Sequence, residues 1–142
     1  MSRSITFSSL PHHVWVLVAA YFAASLAHFA HNGEYIAFYP NMPVWLSREH
    51  IYLVWLGITA IGASALLLLR LGFRALGVAL IGLYGGFGLD GLAHYTLALC
   101  SEHTLATNVT IWSEATSGFL LLLASVVLLS RSMLAHGAKR DA

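Results

Sequence analysis

The chain has 142 residues, of which 58% are apolar and only 9% are charged. Its mean hydropathy of +0.76 is too high for a water-soluble domain, which would aggregate through its surface. The formal net charge of +1, with no basic stripe, argues against a nucleic-acid partner. A single cysteine, Cys100, excludes an internal disulfide and any multi-cysteine metal site. The composition therefore predicts a protein whose main partner is the lipid bilayer.

Four apolar stretches predict four membrane-spanning helices. The predicted spans are residues 14–32, 51–70, 74–96 and 107–130, each close to the ~20 residues that a bilayer-spanning helix needs. The link between the second and third spans is very short, so these two helices are expected to be antiparallel neighbours. We therefore predict an all-α fold, in which residues 1–142 form a single integral membrane four-helix bundle.

The charged residues predict how the bundle is oriented. If all four helices span, both termini lie on the same side of the membrane. That side carries six of the seven basic residues, namely Arg3, Arg70, Arg74, Arg131, Lys139 and Arg140. By the positive-inside rule, the N- and C-termini are cytoplasmic. The localisation expected for the chain is the cytoplasmic membrane of a bacterium, with most acids and histidines facing the periplasm or exterior.

Four ionisable side chains, His28, His31, Asp90 and Glu114, are predicted to lie in one layer near the outer surface. Counting ~1.5 Å per residue from the cytoplasmic ends of their helices places them roughly 21–26 Å from the cytoplasmic surface. Glu34 and His94 are expected about one turn further out, near the mouth. A charge in hydrocarbon costs roughly 2.5–3.5 kcal/mol even on the gentlest scale, so it is retained only beside a partner, a cavity or an ion. The layer therefore indicates a functional site.

Helical spacing predicts which of these side chains share a face. His28 and His31 are three residues apart, and Asp90 and His94 are four apart, so each pair should lie on one side of its α-helix. On the third helix the same stripe begins with Gly82 and Gly86. These glycines would allow close helix approach below the polar pair.

The first chemistry that fits this layer is a transition-metal site, because imidazole and carboxylate are usual ligands for zinc, iron and copper. The predicted metal ligands are His28, His31, Asp90, His94 and Glu114. Glu114 and Glu34 are also the predicted catalytic residues, which would handle protons. A metal there would activate water or dioxygen, as in a metal-dependent oxidoreductase or hydrolase acting on a small or lipid-like substrate.

Two other chemistries remain open. A b-type haem could be held between His28 or His31 and His94, although haem does not require acids at the same depth. Alternatively, the cluster could relay protons or ions in a transporter or a non-catalytic membrane subunit. A homo-oligomer and partner subunits of a membrane complex are both compatible with the sequence.

A short motif resembles a known copper site. The Asp-x3-His arrangement of Asp90 and His94, followed by His103, is similar to the copper-ligand pattern in the third subunit of particulate methane and ammonia monooxygenases. The resemblance covers only this stretch; the second histidine is closer than in that family, and the surrounding helices do not match it. It implies copper as one candidate metal.

Two loops are expected near this layer. The loop from residue 32 to residue 50 contains Pro40 and Pro43, which break helices, and it is predicted to cover the outer mouth as a lid. His103 lies in the following outer loop, where we expect it to be exposed.

Overall fold

The computed structural model describes the backbone of residues 10–137 and the side chains of residues 10–134. The predicted positions of Arg3, Lys139 and Arg140 lie outside these residues. The described chain is all-α. Its helices are α1 (His12–Glu34), α2 (Arg48–Arg70), α3 (Arg74–Gly86), α4 (His94–Leu97) and α5 (Leu105–Gly137). A 3₁₀ segment, Phe87–Ala93, joins α3 to α4.

Four helical rods in the described chain are long and apolar enough to cross a membrane, as predicted. They are α1, α2, the continuous rod Arg74–Leu97, and the part of α5 from Leu105 to Leu134. α5 packs against both α1 and α3, α2 packs mainly on α3, and the contact between α1 and α2 is less extensive. The rods form a four-membered ring, and their buried apolar side chains make one core.

Local chemistry explains where the helices begin and turn. Ser47 caps α2, because its hydroxyl accepts from the backbone N–H of His50 while the His50 ring accepts from the backbone N–H of Ser47. Gly72 has a φ of 90°, a left-handed conformation that lets α2 turn directly into α3. Thr104 Oγ1 accepts from the backbone N–H of Thr107, so it caps α5.

The rod Arg74–Leu97, the third rod in chain order, changes from α-helix to 3₁₀ helix before it reaches the end of the bundle that carries the histidines. In a 3₁₀ helix residues three apart share a face, whereas in an α-helix the repeat is 3.6. The buried stripe consequently contains Gly82, Gly85, Gly88 and Gly91. The prediction that Gly86 allows close helix approach is wrong, because a Cβ there would meet nothing within 4 Å.

The glycine stripe brings the third rod against α5. A Cβ at Gly118 of α5 would contact the carbonyl oxygen of Gly85 and would lie 3.0 Å from the Cα of Gly88. A Cβ at Gly88 would lie 2.7 Å from Tyr21 Cε2. Side chains would separate these backbones, so the glycines set the distance between the two helices.

Candidate functional site

A carboxylate and an imidazole meet in the interior at the histidine-rich end of the bundle. Glu114 of α5 is 1% exposed and His28 of α1 is 2% exposed. His28 Nε2 lies 3.7 Å from Glu114 Oε2, and His28 Nδ1 lies 3.3 Å from the Thr110 hydroxyl. Neither oxygen of Glu114 has a hydrogen-bond partner. An unpaired carboxylate in such a setting is costly, so this group requires a proton or another cation nearby.

His94 extends the pair to a second imidazole. Its ring centroid lies 5.4 Å from that of His28, and the ring planes are inclined by 68°. The Asn32 amide nitrogen lies 3.2 Å from His94 Nε2, within hydrogen-bond distance. Asn32 is only 6% exposed, and its Oδ1 has no hydrogen-bond partner. The cluster therefore contains a second orphaned acceptor besides Glu114.

Two more rings lie next to His94: that of Tyr39, which was not a predicted site residue, and that of His103, which was named only in the copper motif. Tyr39, from the loop between α1 and α2, has its ring centroid 4.9 Å from that of His94. Burial raises the pKa of Tyr39 to about 12, so its hydroxyl keeps its proton at neutral pH. The prediction that His103 is exposed is wrong, because this side chain is 7% exposed and stacks on Tyr95 with centroids 5.4 Å apart.

His103 is buried without hydrogen bonds. Neither of its ring nitrogens has a partner, and its centroid is 6.3 Å from that of His94. The rings of His28, His94 and His103 thus follow one another away from Glu114. In the sequence, His103 lies just before α5, which places it at the histidine-rich end. Only the packing of the outer loop shows that its side chain turns inward.

The other predicted site residues lie at the margin or outside the cluster. His31 Nδ1 is 2.9 Å from the Tyr39 hydroxyl, so its ring is hydrogen-bonded to the loop between α1 and α2. Asp90 is exposed, and no hydrogen bond or ion pair among the described residues joins it to the cluster. Glu34 is exposed and pairs with Arg48, with 2.7 Å between Oε1 and Nη2. The structure therefore brings together His28, His94 and Glu114 of the predicted set.

This donor set fits a metal only in part. Imidazole nitrogen and carboxylate oxygen are suitable ligands for transition metals, and the orphaned Glu114 oxygens face His28. However, among the side chains of residues 10–134, no group of three or more His, Cys, Asp or Glu residues has an arrangement that could hold a metal ion. Metal binding therefore stays a prediction, with His28 and Glu114 as its best-placed ligands.

Two further buried hydroxyl groups of α1 precede His28 on the same helix. Ser25 and Tyr21 of α1 are both fully buried, and neither hydroxyl has a hydrogen-bond partner. The Tyr21 ring meets that of Tyr84 edge-on, with centroids 4.6 Å apart. The close contact of Gly88 and Gly118 lies beside Tyr21. Buried polar atoms without hydrogen-bond partners therefore continue from Glu114 to Ser25 and Tyr21.

A groove of about 430 Å³ leads to the cluster. Its lining includes His28, Asn32 and His94, together with Asp90 and Gly91. A Cβ at Gly91 would lie 3.3 Å from Glu114 Oε2 and 3.6 Å from His28 Nε2. The missing side chain at this position therefore keeps the buried pair close to the groove.

Comparison with protein-family models, curated proteins and solved structures gave no match to this chain. The similarity to the monooxygenase copper motif therefore remains confined to its few residues.

Proposed function

We propose that this chain is an integral membrane protein with both termini in the cytoplasm of a bacterium and the cluster near the periplasmic surface. Four apolar rods of spanning length support the first part. Three of the four described arginines, Arg70, Arg74 and Arg131, lie at one end of the rods and support the orientation through the positive-inside rule. Glu34, Glu49 and Glu102 occur at the opposite end.

The proposed function of the cluster is to bind a cation between Glu114 and His28. One observation carries this proposal: both Glu114 oxygens are buried, have no hydrogen bond, and face an imidazole nitrogen at 3.7 Å. A carboxylate keeps its charge in a low-dielectric interior only when a positive charge or hydrogen-bond donors compensate it. Otherwise it binds a proton.

A transition metal is the first candidate cation. His28 and Glu114 offer the nitrogen and oxygen donors that zinc, iron and copper accept, and a metal held there would need further ligands besides these two. When bound, such a metal would supply Lewis-acid or redox chemistry beside the groove, in line with a hydrolase or oxidoreductase. The protein's own contribution would be to exclude water with the Tyr39 lid and to orient His94 through Asn32.

A proton is the second candidate, and the arrangement of the rings favours it. The imidazoles of His28, His94 and His103 succeed one another from Glu114 towards the loops, as in a relay. The lack of a three-ligand group among the described residues also favours the proton. No comparable observation favours haem, because the His28 and His94 rings contact each other directly.

Metal quantification and infrared spectroscopy on the detergent-purified full chain test the proposal. A stoichiometric metal that is lost in Glu114→Gln and His28→Ala, but retained in the exposed-residue control His50→Ala, would establish the first candidate. A protonated carboxyl band that disappears only in Glu114→Gln, in protein without metal, would establish the second. If the wild-type protein contains neither a metal nor that band, the cation proposal is wrong.

A further inference from the structure

We propose that the groove beside the cluster binds the head of a membrane amphiphile whose head group is a hydrogen-bond donor and is not anionic. This inference names the ligand class of the proposed site, and it rests on the proposed membrane location. It also accounts for two features that a cation at Glu114 does not explain, namely the shape of the groove and the unpaired Asn32 oxygen.

The groove opens on the side of the bundle. Val54 of α2 is 50% exposed, and Asp90 and Leu97 of the third rod are also exposed, so the rim belongs to two spanning rods. Met42, Pro43 and Trp45 of the lid loop form its upper wall. A volume of about 430 Å³ lies within the ~300–1,000 Å³ usual for small-molecule sites. A molecule dissolved in the bilayer can reach this opening without crossing water.

The lining of the groove combines a few polar groups with apolar walls. Its polar groups, His28, Asn32, Asp90 and His94, come from α1 and the third rod, and its apolar side chains include Phe29, Leu46, Ile51 and Leu97. This combination suits a molecule with one polar head and an apolar tail. Ligand sites commonly combine apolar walls with a few converging polar groups in this way.

The polar groups specify the head. Asn32 Oδ1 is buried without a donor, so a ligand hydroxyl or amine can supply the missing hydrogen bond. Asp90 lines the groove and Glu114 lies behind Gly91, whereas no Lys or Arg of the described residues lines it. A carboxylate or phosphate head would meet acidic side chains without a compensating base. Long-chain amines and alcohols therefore fit, and fatty acids do not.

Photolabelling of the full chain in phosphatidylcholine nanodiscs tests this inference. The probes are dodecylamine, dodecanol and dodecanoic acid, each carrying a diazirine on its tail, and labelled peptides are identified by mass spectrometry. We expect the amine and the alcohol to label the lid loop and the start of α2 about tenfold more than the acid, which corresponds to ~1.4 kcal/mol.

A pair of neighbouring variants provides the control. Val54→Trp places an indole at the rim and should remove most of the labelling. Leu53→Trp, at a 62% exposed position that does not line the groove, should leave it unchanged. Because both side chains are exposed, neither variant should disturb the core. Equal labelling in the two variants, or preferential labelling by the acid, would overturn the inference.

Failure of the cation proposal can be recognised separately. Glu114→Gln should retain labelling by the alcohol, because the orphaned Asn32 oxygen and the groove walls remain. Labelling that Val54→Trp blocks in a protein without metal or a protonated carboxyl group would leave the groove established and the cation site refuted. If a cation is found at Glu114 but labelling does not respond to Val54→Trp, the cation site is supported and the groove proposal is refuted.

Discussion

The two halves of the bundle use buried polarity in opposite ways. In the half nearer the arginines, buried Ser125 donates to the carbonyl of Leu121, and the surrounding core is apolar. In the histidine-rich half, Glu114, His103 and Asn32 are buried with unsatisfied atoms. The hydroxyls of Tyr21, Ser25 and Thr59, nearer the middle of the bundle, are also unsatisfied. Because unsatisfied groups lower stability, their presence in and next to the cluster indicates that the histidine-rich half is shaped for binding.

The largest expected effect on stability is at the close contact between α5 and the third rod, between the two halves of the bundle. Gly118→Leu should destabilise the protein by roughly 3 kcal/mol, because its side chain would collide with the backbone at Gly85 and Gly88. Gly86→Leu is the matched control, since a Cβ there has open space. Thermal unfolding in detergent measures both. A similar loss in the two variants would show that the contact does not determine helix packing.

A change in the opposite direction is expected at the cluster. In chelator-treated protein, Glu114→Leu should raise stability by about 1–3 kcal/mol, because it replaces an unsatisfied buried group with an apolar one. Ser125→Ala in the other half should instead be neutral or slightly destabilising, since Ser125 is hydrogen-bonded. The comparison fails if Glu114→Leu is strongly destabilising under these conditions, because Glu114 would then have a structural role.

The loop that carries Tyr39 should respond to alkaline pH. Burial raises the pKa of Tyr39 to about 12 from an ordinary value of 10. The folded state therefore binds this proton more tightly than the unfolded state, and the resulting stability is present below pH 10 and lost as the pH rises towards 12. Tyr39→Phe should flatten this decline, as followed by thermal unfolding at a series of pH values. An identical decline in wild type and variant would contradict the buried position of this hydroxyl.

The smallest effect is expected for the ion pair of Glu34 and Arg48. Its side chains are 42% and 59% exposed, so Glu34→Gln should cost less than about 1 kcal/mol, and the difference should shrink in high salt. The same variant separates structure from catalysis. A large loss of metal or of photolabelling would return Glu34 to the site, in which it was predicted as a catalytic residue.

The number of helices followed from the sequence because spanning-length apolar runs have few alternatives. Which residues of the third rod face the other helices did not follow from the sequence. Gly86 was placed on the packed face by assuming α-helical winding throughout, whereas Gly85, Gly88 and Gly91 are the buried glycines at that end of the rod. Four glycines spaced by three residues, Gly82, Gly85, Gly88 and Gly91, were the available indication of this change in winding.

The outer residues of the cluster depend on contacts between distant segments. His31 is turned towards Tyr39 by a hydrogen bond to a loop, and His103 reaches the cluster through stacking on Tyr95. Neither contact follows from residue spacing, since each depends on how a loop folds back. His28 and Glu114 were foreseeable because both lie within regular α-helices at similar depth.

The 3₁₀ segment also makes the direction of His94 sensitive to local winding. Each residue turns ~120° in a 3₁₀ helix and ~100° in an α-helix, so rewinding the seven residues of Phe87–Ala93 would rotate α4 by about 140°. The same rewinding would shorten the rod by about 3–4 Å. A rotation of this size would carry the His94 ring from its place beside His28 to the outside of the bundle.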